Sequence, residues 1–184
     1  MIIDKLSLEG AFVIESEPFI DDRGIFARVF CQHELQDILH GKNIVQINHS
    51  MTKQKGSIRG MHFQYPPKSE KKMVKCLHGS VFDVMIDLRQ RYSTFLKWHG
   101  EILSAENMKM LYVPEGFAHG FQTLEQNSEL LYLHTEKYDP EFECGIRYND
   151  PSLNISWPIE VTNISERDQK HQLLSRDFKG IILG

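Results

Sequence analysis

Apolar runs in this chain are short and carry strand chemistry, and Gly, Asn, Asp or Pro breaks them one after another. The clearest segments are Ala11–Ser16, Phe26–Phe30, Ile44–Met51, Ser57–Tyr65, Met73–Leu77, Ser80–Leu88, Phe95–Leu103, Met108–Val113, Ala118–Leu124 and Glu129–Thr135. Helical periodicity is weak outside Gln32–Leu39, where Leu35, Ile38 and Leu39 form one apolar stripe. Many short strands with regular turn signals must close on themselves or pack face to face. The pattern predicts a mainly β protein, a sandwich closing into a small barrel with short helices at its edges. The His78-Gly79 step between two apolar runs reads as a tight hairpin turn. No repeat, low-complexity tract or linker divides the sequence, so residues 1–184 read as a single domain.

Composition removes several classes of function. With 41% hydrophobic and 25% charged residues the chain is an ordinary globular one. Its net charge of −4 gives no basic field, which argues against nucleic acid as the main partner but leaves room for a local anion pocket. No apolar run approaches the roughly 18 residues of a membrane span, and Met1–Gly10 lacks the order of a signal peptide. Cys31, Cys76 and Cys144 are odd in number and far apart, so neither a disulfide framework nor a structural zinc site is expected. A reducing cytoplasm is the expected location.

Alternation assigns faces within the strands. Gln46, Asn48 and Ser50 point one way and Val45 and Ile47 the other; such a polar row faces water or lines the mouth of a barrel cavity. Asp83 and Asp87 share a face with Met85, opposite Phe82, Val84 and Ile86, and a carboxylate in so apolar a strand needs a partner.

Two segments stand out: Gly56-Ser57-Ile58-Arg59-Gly60-Met61-His62-Phe63-Gln64 and Pro114-Glu115-Gly116-Phe117-Ala118-His119-Gly120-Phe121. Together they resemble the two half-motifs of the cupin superfamily, a double-stranded β-helix, and that resemblance implies a jelly-roll barrel. The second half matches fully, while Gln64 stands where metal-binding cupins carry a histidine ligand. An amide oxygen is a poorer ligand than imidazole for a transition metal, so no metal is expected. An ordered set of further motifs is similar to one cupin family, the dTDP-4-dehydrorhamnose 3,5-epimerases. It comprises Phe19–Phe26, Arg59–Gln64, Phe82-Asp83-Val84, Gly116–Phe121, Tyr138-Asp139-Pro140, Asn149-Asp150-Pro151, Ile155–Pro158 and Ser165–Asp168. The similarity runs from about Phe12 to about Leu174.

That resemblance implies acid–base chemistry on a nucleotide-linked 4-keto-6-deoxy sugar, with no cofactor. A keto group acidifies the hydrogens on its flanking carbons, so epimerisation needs a base on one face, stabilisation of the enolate, and an acid on the other. By resemblance His62 is the base, Asp168 the carboxylate behind it, Lys72 the cation near the keto oxygen and Tyr138 the acid, with Asp83 in the same network, orienting Lys72. Arg23 and Arg59 would address the diphosphate, since a guanidinium fork matches its oxygens. Gln46, Asn48, Phe26, Arg28, His119 and Glu143 complete the expected substrate-binding set. Arg59 and His62 have opposite parity in a regular strand, and a bulge at Gly60 would reconcile them. The family also implies a homodimer in which an N-terminal strand crosses to the neighbour, so that Arg23 and Phe26 serve the partner's site.

Each assignment competes with a plainer one. A strand histidine is ordinarily packed or solvated, and the seven outside the matched motifs are read that way. The two tryptophans, Trp98 and Trp157, read as packing residues. The sequence also departs from the family: Arg28 replaces a glutamate, Ile47 an aspartate, and Glu70-Lys71-Lys72 a Gln-Gly-Lys. If Arg28 reaches the base, its donors suit cytosine; otherwise it pairs with a surface acid. A 3-epimerase, an enzyme using another nucleotide such as CDP, a metal-dependent cupin and a non-catalytic sugar-nucleotide module stay open.

Overall fold

The computed structural model describes residues 1–183. Its strands are β1 (Ile2–Lys5), β2 (Phe12–Glu15), β3 (Phe19–Asp21), β4 (Gly24–Phe26), β5 (Gln46–Thr52), β6 (Ser57–Gln64) and β7 (Lys72–His78). They continue with β8 (Ser80–Asp87), β9 (Trp98–Ser104), β10 (Lys109–Val113), β11 (Phe117–Thr123), β12 (Ser128–His134), β13 (Glu143–Gly145) and β14 (Asn163–Ile164). Two one-turn helices, α1 (Gln36–Leu39) and α2 (Glu166–Gln169), complete the set. One sheet runs β1-β2-β10-β7-β12-β5 and the other β13-β6-β11-β8-β9, with β14 parallel to β6; β3 and β4 pair only with each other.

The pairing is concentric. β8 pairs with β9, β7 with β10, β6 with β11 and β5 with β12, all antiparallel. The chain therefore behaves as one long ribbon folded back at the β8–β9 connection and wound so that successive strands from β5 to β8 alternate between sheets. This is the expected jelly-roll barrel, mainly β with short peripheral helices. The hairpin expected at His78-Gly79 is overturned, because β7 and β8 lie in different sheets. Gly79, at φ +70°, is a corner between sheets; Cys76 Sγ donates to the carbonyls of His78 and Gly79 at 3.2 Å. Sequence reading saw the turn residue but had no signal for which sheet the chain entered next.

Smaller boundaries move for local reasons. Phe26–Phe30 is not a strand: pairing stops at Phe26, the last residue of a short hairpin. The strand expected from Phe95 starts at Trp98, since Leu96 takes φ +60° in a turn closed by Lys97 N–H to the Thr94 carbonyl (2.9 Å). The helix shrinks to Gln36–Leu39, yet its apolar stripe of Leu35, Ile38 and Leu39 is buried as expected.

Both faces of β8 are buried. Met85 faces the core between the sheets with Val74, Leu111 and Leu130, while Val84 and Ile86 pack against the C-terminal segment with Leu153 and Ile181. Both aspartates find partners. Asp87 takes Arg89 and Thr94, and Asp83 takes His119. Trp157 packs edge-on to Phe82 at 6.1 Å.

Candidate active site

The inner face of the barrel changes character along its strands. On β7, Val74 and Cys76 belong to the dry core, but Lys72 opens the strand at the polar end. On β12, Leu130 is core while Tyr132 and His134 line a cavity. That cavity, of about 550 Å³, holds His62, Lys72, Tyr138, Arg59, Asn48, His119 and Glu143 of the expected residues on its walls.

One wall is β6, where the bulge forms as expected. His62 pairs with His119 of β11 but Arg59 pairs with Phe121, so three steps on β6 span two on β11. Only glycine fits, because Gly60 has φ +128° and a Cβ there would lie 2.5 Å from Gly120 Cα. The extra residue brings Arg59 and His62 to one cavity despite their opposite parity, and turns the Gly60 N–H toward Asp168 Oδ2 at 3.2 Å.

His62 Nε2 lies 2.7 Å from Asp168 Oδ1. The carboxylate can only accept, so Nε2 carries the proton and Nδ1 is the nitrogen left to take another. Burial works against the Asp168 anion, but the hydrogen bonds from His62, Gly60 and Ser165 outweigh it and hold the group below the ordinary Asp range. Asp168 sits on α2, capped by Ser165 Oγ, which accepts from its N–H at 3.1 Å.

Tyr138 stands on the segment following β12. Its hydroxyl donates to Glu143 Oε2 at 2.6 Å, and that bond raises its pKa, so the phenol keeps its proton at neutral pH. Arg167 pairs with the other Glu143 oxygen. Two amides brace the backbone here: Gln46 Oε1 accepts from Tyr138 N–H at 3.1 Å and Gln64 Oε1 from Asp139 N–H at 2.6 Å. Asn48 and Ser50 of the polar row thus do line the cavity, Ser50 Oγ meeting Tyr132 Oη at 3.2 Å, while Gln46 braces the Tyr138 backbone instead.

Other expectations need correction. Asp83 does not orient Lys72; it is fully buried and holds His119 Nε2 at 2.7 Å. Lys72 instead pairs with Glu70 at 2.9 Å, because the two lie within three residues at the cavity's edge. Arg23 and Phe26, expected to serve a partner's site, lie on the β3–β4 hairpin away from this chain's own cavity, with Arg23 paired to Asp21. Arg28 is tied to Glu34, which also takes the N-terminal amine at 2.9 Å, and so is not brought to the cavity either. Sequence reading also missed Glu70, Tyr132, Phe121 and three of the histidines set aside: His49 and His134 line the cavity, and His171 packs edge-on to His62 at 5.6 Å. His134 shares a strand face with Leu130 and Tyr132, but nothing local separates a cavity position from a core one.

The cupin metal positions do not fit a resident ion. His62 and His119 each bond a carboxylate, and Gln64 spends both amide atoms on the backbone, its Nε2 donating to the Lys68 and Lys137 carbonyls at 2.9 and 3.3 Å. Among the described residues one other trio, His62, Asp168 and His171, brings ligand-type atoms within 4.8 Å, around a carboxylate already engaged by His62.

Comparison with known proteins completes the picture. A family model described as dTDP-4-dehydrorhamnose 3,5-epimerase matches residues 5–176. The dTDP-4-dehydrorhamnose 3,5-epimerase of Salmonella typhimurium is 39% identical over 178 residues, 96% of this chain and 97% of the relative. Among solved structures, the Bacillus anthracis enzyme of that name, with TDP and PPi bound, superposes with a TM-score of 0.91 at 36% identity, covering 94% of this chain and 99% of the other. A Legionella pneumophila dTDP-6-deoxy-D-glucose-3,5-epimerase in complex with dTDP-4-keto-L-rhamnose gives 0.89 at 37% identity, covering 94% and 92%.

Proposed function

The chain belongs to the dTDP-4-dehydrorhamnose 3,5-epimerase family, and from that premise we propose that it inverts carbons flanking the keto group of a dTDP-linked 4-keto-6-deoxy sugar. The observation that carries the mechanism is the His62–Asp168 pair, 2.7 Å apart on the wall of a cavity that also holds Lys72 and Tyr138. His62 Nδ1 takes the proton from the carbon next to the keto group. The C–H electron pair moves into the enolate, whose oxygen the Lys72 ammonium neutralises. Tyr138 delivers its proton to the opposite face of the same carbon, and His62 and Tyr138 return to their starting states through solvent. Asp168 holds the imidazole in the tautomer that leaves Nδ1 free. No redox step occurs, so the chemistry calls for no cofactor.

Arg59 supplies a charge for the diphosphate; its Nε donates to Thr52 Oγ1 at 3.0 Å, which fixes the fork at the cavity rim. Asn48, Gln46, His119 and Glu143 are the remaining candidates for contacts to sugar and base. The β3–β4 hairpin carries Phe19, Ile20, Ile25 and Phe26 at 62–79% exposure and, among the described residues, pairs with no other strand. Such an apolar ribbon needs cover, and a second copy of the chain supplies it in a homodimer, bringing Arg23 and Phe26 to the neighbour's cavity. The whole chain acts as one catalytic unit. No helix among the described residues is long and apolar enough to cross a membrane; a nucleotide-sugar substrate supports a cytoplasmic location.

Incubation with dTDP-4-keto-6-deoxyglucose in deuterated water tests the reading. Label should enter the carbons on both sides of the keto group; label at neither carbon would overturn it. Sedimentation of a Phe26→Asp variant tests the dimer, which should shift to monomer.

A further inference from the structure

We propose that Glu70 and His134 are positioning residues that keep the Lys72 ammonium charged and aimed into the cavity. This rests on the reading of Lys72 as the group that meets the keto oxygen.

Lys72 opens β7, and its side chain is only 8% exposed. An ammonium so far from water favours its neutral form unless an anion stands beside it. Antiparallel register sets His134 of β12 directly opposite Lys72. Glu70, two residues before Lys72, is 9% exposed and reaches both: Oε1 lies 2.9 Å from Lys72 Nζ and Oε2 2.6 Å from His134 Nδ1. Burial pushes the Glu70 carboxyl up, but the Lys72 charge and the His134 hydrogen bond outweigh it and draw the group down to about 2. The carboxylate is therefore an anion wherever the enzyme works, and with one oxygen on each donor it cannot rotate away from either.

His134 is itself fixed. Its ring stacks on Tyr132 at 6.1 Å and 19°, and with Nδ1 donating to Glu70 its Nε2 is left to accept from Asn48 Nδ2 at 3.4 Å. Asn48, His134, Glu70 and Lys72 thus form a continuous polar row across β5, β12 and the start of β7, on the wall formed by one sheet. The other titratable groups facing this cavity are already committed. His62 is held by Asp168, His119 by Asp83, His49 by Glu129, Tyr132 by Ser50, Tyr138 by Glu143, and Glu143 also by Arg167. Arg59 is a cation at the rim, and at the edge Lys68 pairs with Glu136 at 3.2 Å. Among the described residues Glu70 is the one acid within ion-pair distance of Lys72.

The test compares Glu70→Gln, Lys72→Ala and the double variant by pH profiles of solvent deuterium exchange, with thermal unfolding as a check on folding. Glu70→Gln should lower kcat about ten- to a hundredfold, the range of a charged hydrogen bond, with little change in KM. Its alkaline limb should move to lower pH, and the double variant should be no worse than Lys72→Ala. Glu70→Asp should restore part of the rate. A second readout needs no turnover: labelling of Lys72 by acetic anhydride, read by mass spectrometry at neutral pH, should be faster in Glu70→Gln because only the free amine reacts. Unchanged labelling, or an equal further loss in the Lys72→Ala background, would overturn the inference. Absence of exchange in the unaltered enzyme would overturn the proposed function instead, and the labelling result would still decide this one.

Discussion

His62 and His119 are direct neighbours on the β6–β11 ladder, and each holds a carboxylate at 2.7 Å, yet they sit in different worlds. The His62 side chain is 31% exposed and opens on the cavity; that of His119 is 6% exposed, over an Asp83 that water does not reach. The chemistry of the two pairs is the same, and access divides them. The bulge at Gly60 turns the His62 backbone while β11 runs on beside β8 without interruption. The carboxylates also differ in origin. Asp83 comes from the neighbouring strand and is fixed by the sheet, whereas Asp168 arrives from a one-turn helix 106 residues along the chain from its histidine. An imidazole that must pick up and release protons belongs at the accessible pair.

The hardest attempt to break this contrast is His62→Ala. Exchange at the sugar carbons should fall by about a hundred- to ten-thousand-fold, with folding and nucleotide binding kept. Asp168→Asn should fall in the same direction, because an amide that donates toward Nε2 selects the wrong tautomer. Near-normal exchange in His62→Ala would erase the distinction between the two histidines.

Tyr138→Phe sharpens the other half of the mechanism. The base still removes and returns the proton on one face, so label should enter the substrate while net inversion slows by about a hundredfold or more. Equal loss of exchange and inversion would make Tyr138 a binding residue.

The same contrast shows what could be read from the sequence. The faces of β5 and β8, the need for a partner at Asp83 and Asp87, and the bulge at Gly60 all followed from alternation and from glycine, because those signals are local. Partners did not follow. The resemblance points Asp83 at Lys72, but Asp83 sits diagonally across from His119, and the strand pairing that decides this is a long-range fact. Glu70 and His134 carry no local signal, because a charged run and a strand histidine look the same in a cavity as on a surface. The hairpin at His78-Gly79 failed for the same reason: a left-handed glycine marks a turn without saying which sheet receives the next strand. Family resemblance carried Asp168 to His62, where spacing alone never could.

His119→Ala should behave oppositely to His62→Ala. It leaves Asp83 buried beside an empty space, and stripping one member from a buried pair costs about 3–5 kcal/mol. Denaturant unfolding should show that loss, while exchange per folded molecule drops far less than in His62→Ala. His119→Gln, which can still donate to Asp83, should recover part of the stability. An exchange defect as deep as that of His62→Ala, with stability intact, would make His119 a second catalytic imidazole.

The smallest effect lies in acid stability, and it separates the cavity carboxylates from ordinary surface ones. Asp168 and Glu70 are both held below their usual values, Glu70 at about 2 against 4.5. A group lowered on folding binds fewer protons in the native state than in the unfolded one, so stability rises with pH across that interval. Its contribution is therefore complete above the unfolded value and is lost as pH falls through the folded one. For Glu70 the window runs from 4.5 down to about 2, and for Asp168 it begins near 3.8. Urea unfolding of the unaltered protein and of Glu70→Gln should differ most at neutral pH, with the gap closing across that window. Asp168→Asn should show the same closing below about pH 3.8. A gap that stays constant down to pH 2 would mean the Glu70 carboxylate gains nothing from Lys72 and His134, and the polar wall would then owe its order to packing alone.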